Sequence, residues 1–148
     1  MITGYHCKGV FMSLSNFSIE MEVRDNELDA QGIVNNSNYM VYLSHARHKH
    51  GELLNINHTE FAKRGLNLIV TSCTMKFKNP LLANDVFIVT SKICRGELPY
   101  HWSHKQDIKR LSDGKIILKA LFNATCANKN ENSDEKLCIP AEIEKYLA

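Results

Sequence analysis

The sequence lacks the features that mark several large classes of protein. No apolar run in its 148 residues approaches the roughly 20 residues of a membrane-spanning helix. The formal net charge is only +2, without the clustered basic face of a nucleic-acid interface. Residues 1–16 lack the uninterrupted apolar segment of a signal peptide. We therefore expect a cytoplasmic protein with no membrane span and no nucleic-acid partner.

Cysteine and histidine are present, but neither forms a metal-binding pattern. The five cysteines are scattered, with no Cys-x-x-Cys pair, and three of them fall in strand-like segments, where a free thiol packs like a small apolar side chain. His45, His48 and His50 are close in sequence. However, His45 and His50 would lie on different faces of a helix, and no nearby cysteine or carboxylate completes a ligand set. We predict free thiols in a reducing compartment, surface histidines, no metal site and no cofactor.

The composition is that of one folded domain. Apolar residues make up 44% of the chain and charged residues 23%, which is the balance of a globular protein of ordinary size. We expect a domain over residues 17–148, preceded by an N-terminal extension over residues 1–16 in which Met12 is an alternative start. No internal repeat or linker divides the chain further.

Hydrophobic periodicity predicts one long helix among strands. Residues 17–24 alternate apolar and polar side chains, as in a half-buried strand. Apolar residues then recur at helical spacing from Tyr39 to Leu54. Further strands are predicted over residues 68–78, 85–94, 100–109 and 115–126, short helices over 59–64 and 139–143, and an exposed loop over 128–136.

This order of elements favours an α+β fold. Five strands joined mostly by short turns form an antiparallel sheet, and one amphipathic helix packs its apolar stripe against that sheet. Because a single helix covers only one face of the sheet, the arrangement also favours self-association.

The segment between the first strand and the long helix holds the main candidate for chemistry. Asp29 and Gly32 lie in a polar turn, and residues 35–38 (Asn-Asn-Ser-Asn) precede the first turn of the helix. The first N–H groups of a helix lack intrahelical partners, so they can stabilise negative charge on a substrate carbonyl oxygen. An aspartate in a glycine-containing turn is nevertheless most often there for turn or capping chemistry, and the turn alone favours that interpretation.

The motif Leu-Asp-Ala-Gln-Gly-Ile-Val-Asn-Asn at residues 28–36, with Tyr39 and then Ala46-Arg47, resembles a known family. It is similar to the hotdog-fold thioesterases of the 4-hydroxybenzoyl-CoA thioesterase and acyl-acyl-carrier-protein thioesterase type. The resemblance implies a five-stranded antiparallel sheet wrapped around one long amphipathic helix. It also implies homodimers that often assemble into tetramers.

The resemblance assigns roles to five positions. Asp29 would be the catalytic carboxylate, either as nucleophile or as general base, and the backbone N–H of Asn36 would polarise the thioester carbonyl. Tyr39, Val70 and Thr71 would line the acyl pocket, although an aromatic residue at helical spacing is more often part of the core. The implied substrate is an acyl thioester of coenzyme A or of acyl carrier protein, and the Asn-Asn pair is closer to the carrier-protein enzymes.

Two other functions are compatible with the same fold. One is a non-catalytic regulator that binds acyl thioesters without turnover. The other is a hydratase or dehydratase, whose usual signature has a histidine five residues after the aspartate. That position is Val34 in this chain, so the signature is incomplete.

Overall fold

The computed structural model of the protein describes residues 14–130 and 136–147. Strand β1 (Asn16–Glu22) leads into a single 3-10 turn (Asp25–Glu27). The remaining elements are α1 (Asn36–Leu53), α2 (His58–Lys63), β2 (Leu66–Phe77), β3 (Val86–Arg95), β4 (Trp102–Arg110), β5 (Ile116–Asn128), β6 (Lys136–Cys138) and α3 (Ala141–Glu144). Most of the predicted N-terminal extension, including Met12, lies outside the described residues.

The strands form one antiparallel sheet in the order β1-β3-β4-β5-β2. The five predicted strands are all present, which confirms the α+β arrangement. β6 was not predicted, because its three residues directly follow a polar and charged segment. It pairs with the last residues of β5, where Cys138 lies opposite Cys126.

Helix α1 packs over β1 and β3 and buries the predicted stripe of apolar residues. Leu43 and Ala46 are completely buried, and they contact a core that includes Phe87, Ile108 and Phe122. Gly51 does not end the helix, since a glycine in a helix interior costs only about 1 kcal/mol relative to alanine and the buried face continues on both sides. Within residues 14–130 and 136–147, no helix combines the length and hydropathy of a membrane span.

A smaller apolar cluster lies at the other end of the sheet. Ile93, Trp102 and Cys126 pack there against Ile143 from the short closing helix α3. Pro140 is the residue before the first turn of α3, a position that tolerates proline because no intrahelical N–H is needed there. The predicted closing helix is therefore confirmed.

β2 is one of the two terminal strands in the sheet order, and apolar side chains on one of its faces are uncovered. Val70 and Phe77 pair with Ala124 and Leu118 of β5, which are buried, so all four side chains project to the same side of the sheet. Val70 is nevertheless 49% exposed and Phe77 51% exposed. The reason is that α1 packs over β1 and β3, in the opposite half of the sheet.

Candidate active site

The turn that carries Asp29 is a tight hairpin. Leu28 and Val34 form an antiparallel bridge, and the Asp29 N–H donates to the Ile33 carbonyl at 2.8 Å. The Gly32 N–H donates back to the Asp29 carbonyl at 3.0 Å, and Gly32 has a φ of 78°. This is a three-residue hairpin loop with a left-handed residue at its end, which glycine adopts without strain. The spacing between Asp29 and Gly32 is therefore explained by backbone geometry.

The Asp29 side chain has a structural role of its own. The residue is half-buried, and Oδ1 accepts a hydrogen bond from the Gln31 N–H at 2.8 Å. This bond is typical of an aspartate that stabilises its own turn, so the turn interpretation is correct. Among the described residues, none donates a hydrogen bond to Oδ2. One oxygen thus fixes the side chain, and the other is available for chemistry.

The start of α1 leaves one amide without an acceptor. Asn35 is the N-cap, and its Oδ1 accepts from the Ser37 N–H at 3.0 Å. The Asn38 N–H donates to the Asn35 carbonyl at 2.9 Å. The N–H groups of Ser37 and Asn38 therefore have acceptors, whereas the Asn36 N–H has none in the part of the chain that the structure describes. An amide at this position can polarise a carbonyl oxygen.

The hairpin and the helix start are joined through one carbonyl. The Asn35 N–H and the Asn38 side-chain amide both donate to the Glu27 carbonyl, each at 2.9 Å. Glu27 itself directly precedes the bridged Leu28. Asp29 and Asn36 consequently belong to one rigid unit.

Tyr39 supports this unit from within the core. It is only 3% exposed, and its hydroxyl accepts from the Leu81 N–H at 3.1 Å. The Leu81 carbonyl in turn accepts from the Val34 N–H at 2.9 Å. Burial raises the pKa of the Tyr39 phenol above its ordinary value. Tyr39 is therefore a core residue in this protomer, and its contact with substrate stays a prediction.

Val70 and Thr71 lie far from the hairpin within one protomer. The ring of Phe77, near the end of β2, is 5.6 Å from that of Tyr39. Val70 is seven residues earlier in β2, which is about 23 Å along an extended strand. Thr71 forms a bulge, and its Oγ1 donates to the Asn123 carbonyl at 3.1 Å. The structure thus brings together Asp29, Asn36 and Tyr39 but places Val70 and Thr71 towards the other end of β2.

Two cavities lie along α1, and Asp29 lines neither of them. A wide cleft of about 750 Å³ runs between β1 and the helix, with Glu27, Tyr42 and His45 in its walls. A smaller pocket of about 260 Å³ lies beside the C-terminal half of the helix, and Val70 forms part of its wall.

The histidine prediction is wrong at one position. His45 and His48 are exposed as expected, but His50 is 1% exposed, and its Nε2 lies 2.9 Å from the Leu14 carbonyl. His50 belongs to the buried stripe of α1, so its helical spacing with Leu43 and Ala46 was the signal for burial. Among the residues described, no group of three or more His, Cys, Asp or Glu side chains could hold a metal ion. Cys73, Cys94, Cys126 and Cys138 are free thiols.

Sequence reasoning missed the histidines and the arginine of the smaller pocket. His104, His50 and Arg47 line it beside Trp102, and so do His48 and His58. Burial lowers the pKa of His50, and it lowers the pKa of His104 to about 3. Both imidazoles are therefore neutral near pH 7. No local motif marks this group, because its members come from α1, α2 and β4.

Known proteins share both the sequence and the fold. The model of the thioesterase-like superfamily matches residues 23–145. Two chloroplastic acyl-acyl carrier protein thioesterases of Arabidopsis thaliana are similar. One is 32% identical over 129 residues, covering 87% of this chain and 66% of the relative, and the other is 44% identical over 75 residues, covering 51% and 40%. The chain thus spans less than two thirds of either relative.

Solved structures agree with the predicted fold. A 1,4-dihydroxy-2-naphthoyl-CoA thioesterase from Synechocystis superposes with a TM-score of 0.79 at 15% identity, covering 89% of this chain and 95% of the other. At that identity the likeness concerns the fold alone. The family model, by contrast, matches the sequence over most of its length. This protein therefore has the hotdog fold and belongs to the thioesterase-like superfamily.

Proposed function

We propose that this protein hydrolyses an acyl thioester to a free acid and a thiol. The observation that carries the proposal is the single rigid unit formed by the hairpin and the helix start. In it, Asp29 keeps one carboxylate oxygen without a hydrogen-bond donor, and Asn36 keeps an N–H without an acceptor, among the residues described. Hydrolysis requires these two groups: a base or nucleophile, and a donor for the oxyanion.

The Asp29 carboxylate can act in two ways. As a nucleophile, it attacks the thioester carbonyl carbon, the carbon–sulfur bond breaks, and the thiolate leaves and takes a proton from water. A second water then cleaves the mixed anhydride. As a general base, Asp29 instead takes a proton from a water molecule whose oxygen attacks the carbonyl carbon; the carbon–sulfur bond then breaks, and the leaving thiolate takes the proton from Asp29. In both cases the Asn36 N–H and the positive end of α1 stabilise the oxyanion.

The carrier is coenzyme A or acyl carrier protein. Two relatives are named as acyl-acyl carrier protein thioesterases, and this supports the carrier protein. Neither a metal nor a dissociable cofactor takes part in the proposed reaction. We keep cytoplasmic location as a prediction.

The acyl pocket is completed by a second copy of the chain. β2 is an unpaired edge with exposed apolar side chains, and such an edge readily pairs with another strand. Antiparallel pairing of two β2 strands about a twofold axis between Cys73 and Thr74 would place the partner subunit's Val70 opposite Phe77. That position is next to Tyr39. Val70 and Thr71 would then line the acyl pocket across the dimer interface, and two dimers would form the predicted tetramer.

The decisive experiment compares Asp29→Asn with Asp29→Ala in a thiol-release assay on panels of acyl-CoA and acyl-carrier-protein substrates. Asparagine keeps an oxygen that can accept the Gln31 N–H, so the turn survives while the carboxylate is lost. We expect kcat to fall about 100-fold or more in Asp29→Asn, with unchanged far-UV circular dichroism. Release that is unaffected by both substitutions would remove Asp29 from the mechanism.

The assembly has a separate test. Sedimentation equilibrium should give the mass of a dimer or a tetramer at micromolar protein concentration. A monomer with full activity would exclude a pocket shared between subunits.

One observation favours the regulator as a second candidate. Because Asp29 stabilises its own turn, the residue could be kept for structure alone. Tight binding of acyl thioesters without release of thiol would favour that function. No such observation favours the hydratase, because Val34, at the position of its histidine, is a core residue and 1% exposed.

A further inference from the structure

Two of the described cysteines face each other across neighbouring strands. Cys126, in β5, and Cys138, in β6, are directly opposite in the antiparallel pairing of these strands. Directly opposite residues of antiparallel strands have Cα atoms about 4.5–5.5 Å apart. That separation lies within the range of about 4.4–6.8 Å that disulfides span. The backbone therefore brings the two cysteines within bridging distance.

Both thiols also project to the same side of the sheet. Cys126 is paired with Leu68 of β2 on one side and with Cys138 of β6 on the other, so the three residues form one row across three strands. All three pack into the smaller apolar cluster beside α3. The Cys138 thiol is near enough to the Cys126 thiol for a hydrogen bond between them. The side chains therefore point into one space, which is the second requirement of a disulfide.

The other described cysteines lack such a partner. Cys73 lies opposite Phe122 of β5. Cys94 lies opposite Ser103 of β4, and its thiol donates to the Ser103 carbonyl. Within residues 14–130 and 136–147, neither of them is directly opposite another cysteine. They therefore serve as internal controls for the pair in β5 and β6.

Forming the bond requires only a small movement of β6. Opposite Cβ atoms of antiparallel strands are about 4.5–5.5 Å apart, whereas a disulfide needs about 3.5–4.5 Å. β6 has only three residues, and it pairs with β5 outside the main strand order. A strand this short can approach β5 by about 1 Å without disturbing the main ladder.

The two thiols differ in their access to solvent. Cys126 is completely buried, and a buried thiol can be present for packing alone, as a small apolar group. Cys138 is half-buried, so a reagent in solvent can reach it. An accessible thiol beside a second thiol that can resolve it is the arrangement of many redox-sensitive cysteines. Packing explains Cys126 by itself but not the position of Cys138 directly opposite it.

We propose that Cys126 and Cys138 form a reversible disulfide, with an external disulfide such as oxidised glutathione as the oxidant, and that this bond fastens β6 and α3 to β5. α3 begins at Ala141, three residues after Cys138, and its Ile143 packs in the same cluster as Cys126. A reducing compartment keeps the two thiols free, as they are in this structure, until disulfide oxidants accumulate. The inference does not depend on the proposed thioesterase function.

The bond forms in two exchange steps. The accessible Cys138 thiolate attacks one sulfur of oxidised glutathione, so one glutathione thiolate leaves and the other glutathione stays on Cys138. Cys126 then loses its proton to solvent and attacks the Cys138 sulfur, which expels the second glutathione thiolate. Two protein thiols are oxidised, and one external disulfide is reduced to two thiols. Burial and the neighbouring Cys138 thiol raise the pKa of Cys126 to about 12, so the second step is the slower one.

The test identifies the sulfur bonds by peptide mass spectrometry. Wild-type protein, and a variant in which Cys7, Cys73 and Cys94 are replaced by serine, are incubated with oxidised glutathione at about pH 8.5, where more of a thiol is thiolate. Remaining thiols are then blocked. In both proteins we expect a peptide that links Cys126 to Cys138 in most of the chains, and dithiothreitol should remove the link.

Two outcomes of this experiment would overturn the inference. One is glutathione that stays on Cys138 while Cys126 remains a free thiol, which would mean that the pair is present for packing alone. The other is the absence of any modification at Cys138. Because the wild-type protein gives the linked peptide by itself, a variant that fails to fold does not decide the outcome.

Single substitutions separate the roles of the two thiols. In Cys126→Ser, the exchange should stop with glutathione on Cys138. In Cys138→Ser, the buried Cys126 should react about tenfold or more slowly than Cys138 does in the wild type. Cys94→Ser is the matched control and should leave the Cys126–Cys138 link unchanged. Fast addition of glutathione to Cys126 in Cys138→Ser would overturn the assignment of Cys138 as the attacking thiol.

Urea unfolding of the oxidised and reduced proteins tests the fastening of β6 and α3. The bond closes the loop from Cys126 to Cys138 and so restricts the unfolded chain, and we expect the unfolding midpoint to rise by roughly 1 M urea. Dithiothreitol should restore the lower midpoint, and Cys126→Ser treated with oxidised glutathione should show no rise. Equal midpoints in the presence of the linked peptide would show that the bond does not fasten these elements.

Discussion

The two ends of helix α1 are built differently. At the N-terminal end, Asn35 and Asn38 donate hydrogen bonds to the Glu27 carbonyl, and the Tyr39 hydroxyl accepts one from the Leu81 N–H, so the turn, the helix start and the neighbouring loop are tied together. At the C-terminal end, His50 and His104 line the smaller pocket, and each has a buried Nδ1 without a hydrogen-bond partner among the described residues. The first end holds the proposed catalytic carboxylate of Asp29 in place, and the second contains buried polar atoms that the described residues leave unsatisfied.

The two ends of α1 also differ in how far apart in sequence their contributing residues are. The N-terminal end comes almost entirely from residues 24–39, so a motif can reveal it. The C-terminal end joins residues separated by more than fifty positions. A mutation near the turn should therefore affect local geometry, whereas one near the pocket should affect the pH dependence of stability.

The largest effect on stability should come from Tyr39→Phe. This change leaves the buried Leu81 N–H without its acceptor, and an unsatisfied buried donor costs about 1–3 kcal/mol of unfolding free energy. Urea denaturation measures that loss. We also expect kcat to fall, because the loop around Leu81, whose carbonyl accepts from the Val34 N–H, would no longer be held in place. The control is Tyr146→Phe, at a half-exposed tyrosine whose hydroxyl bonds no described residue. Equal stability of the two variants would show that the Tyr39 hydroxyl does not hold the N-terminal end.

A smaller effect is expected from Gly32→Ala. Nothing lies within 4 Å of an added Cβ, but φ is +78°, so the cost is backbone strain of about 1–2 kcal/mol. The hairpin should loosen, and kcat/KM should fall with the unfolding free energy.

Gly51→Ala provides the matched control at the other end of the helix. An added Cβ there would be 3.7 Å from the Ile56 carbonyl oxygen, an ordinary contact. Alanine should stabilise the helix by about 0.5–1 kcal/mol. Gly32→Ala and Gly51→Ala should therefore change the unfolding free energy in opposite directions. A lower unfolding free energy in both variants would contradict the proposed difference between the two ends of the helix.

The C-terminal end should also give the stability of the protein a pH dependence. Burial depresses the pKa of His50 and of His104 in the folded protein, whereas an unfolded histidine titrates near about 6.5. Stability from these neutral rings is complete above that pH and is lost as the pH falls, because only the unfolded chain takes up the protons. The slope is at most about 1.4 kcal/mol per pH unit for each histidine.

Urea unfolding between about pH 7 and pH 5 measures this slope, since most carboxylates remain ionised in that window. His104→Gln should flatten the curve. An identical slope in the variant and the wild type would mean that His104 is not held neutral.

Much of the fold could be predicted because its signals are local. The alternation along β5 and the stripe on α1 both follow from side-chain periodicity, and Asn35 is the expected type of N-cap. β6 was missed because three residues carry too little pattern. His50 was misjudged because histidine is common at surfaces, although its spacing matched the buried stripe.

The candidate site was predictable only in part. Asp29, Gly32 and Asn36 are close in sequence, so a motif places them in one turn and helix start. The position of Val70 relative to Asp29 could not be predicted, because it depends on how β2 runs along the helix. The pocket containing His104 requires the sheet to bring β4 next to the C-terminal half of α1.

The sequence by itself determined the elements of this protein, its family and the hairpin that carries Asp29, because these depend on neighbouring residues and on periodic burial. Only the tertiary structure decided that β2 is an uncovered edge and that two unsatisfied imidazoles share one pocket. The physical reason is that hydrogen-bond satisfaction in the interior depends on residues distant in the chain, and their meeting is set by sheet order and helix placement.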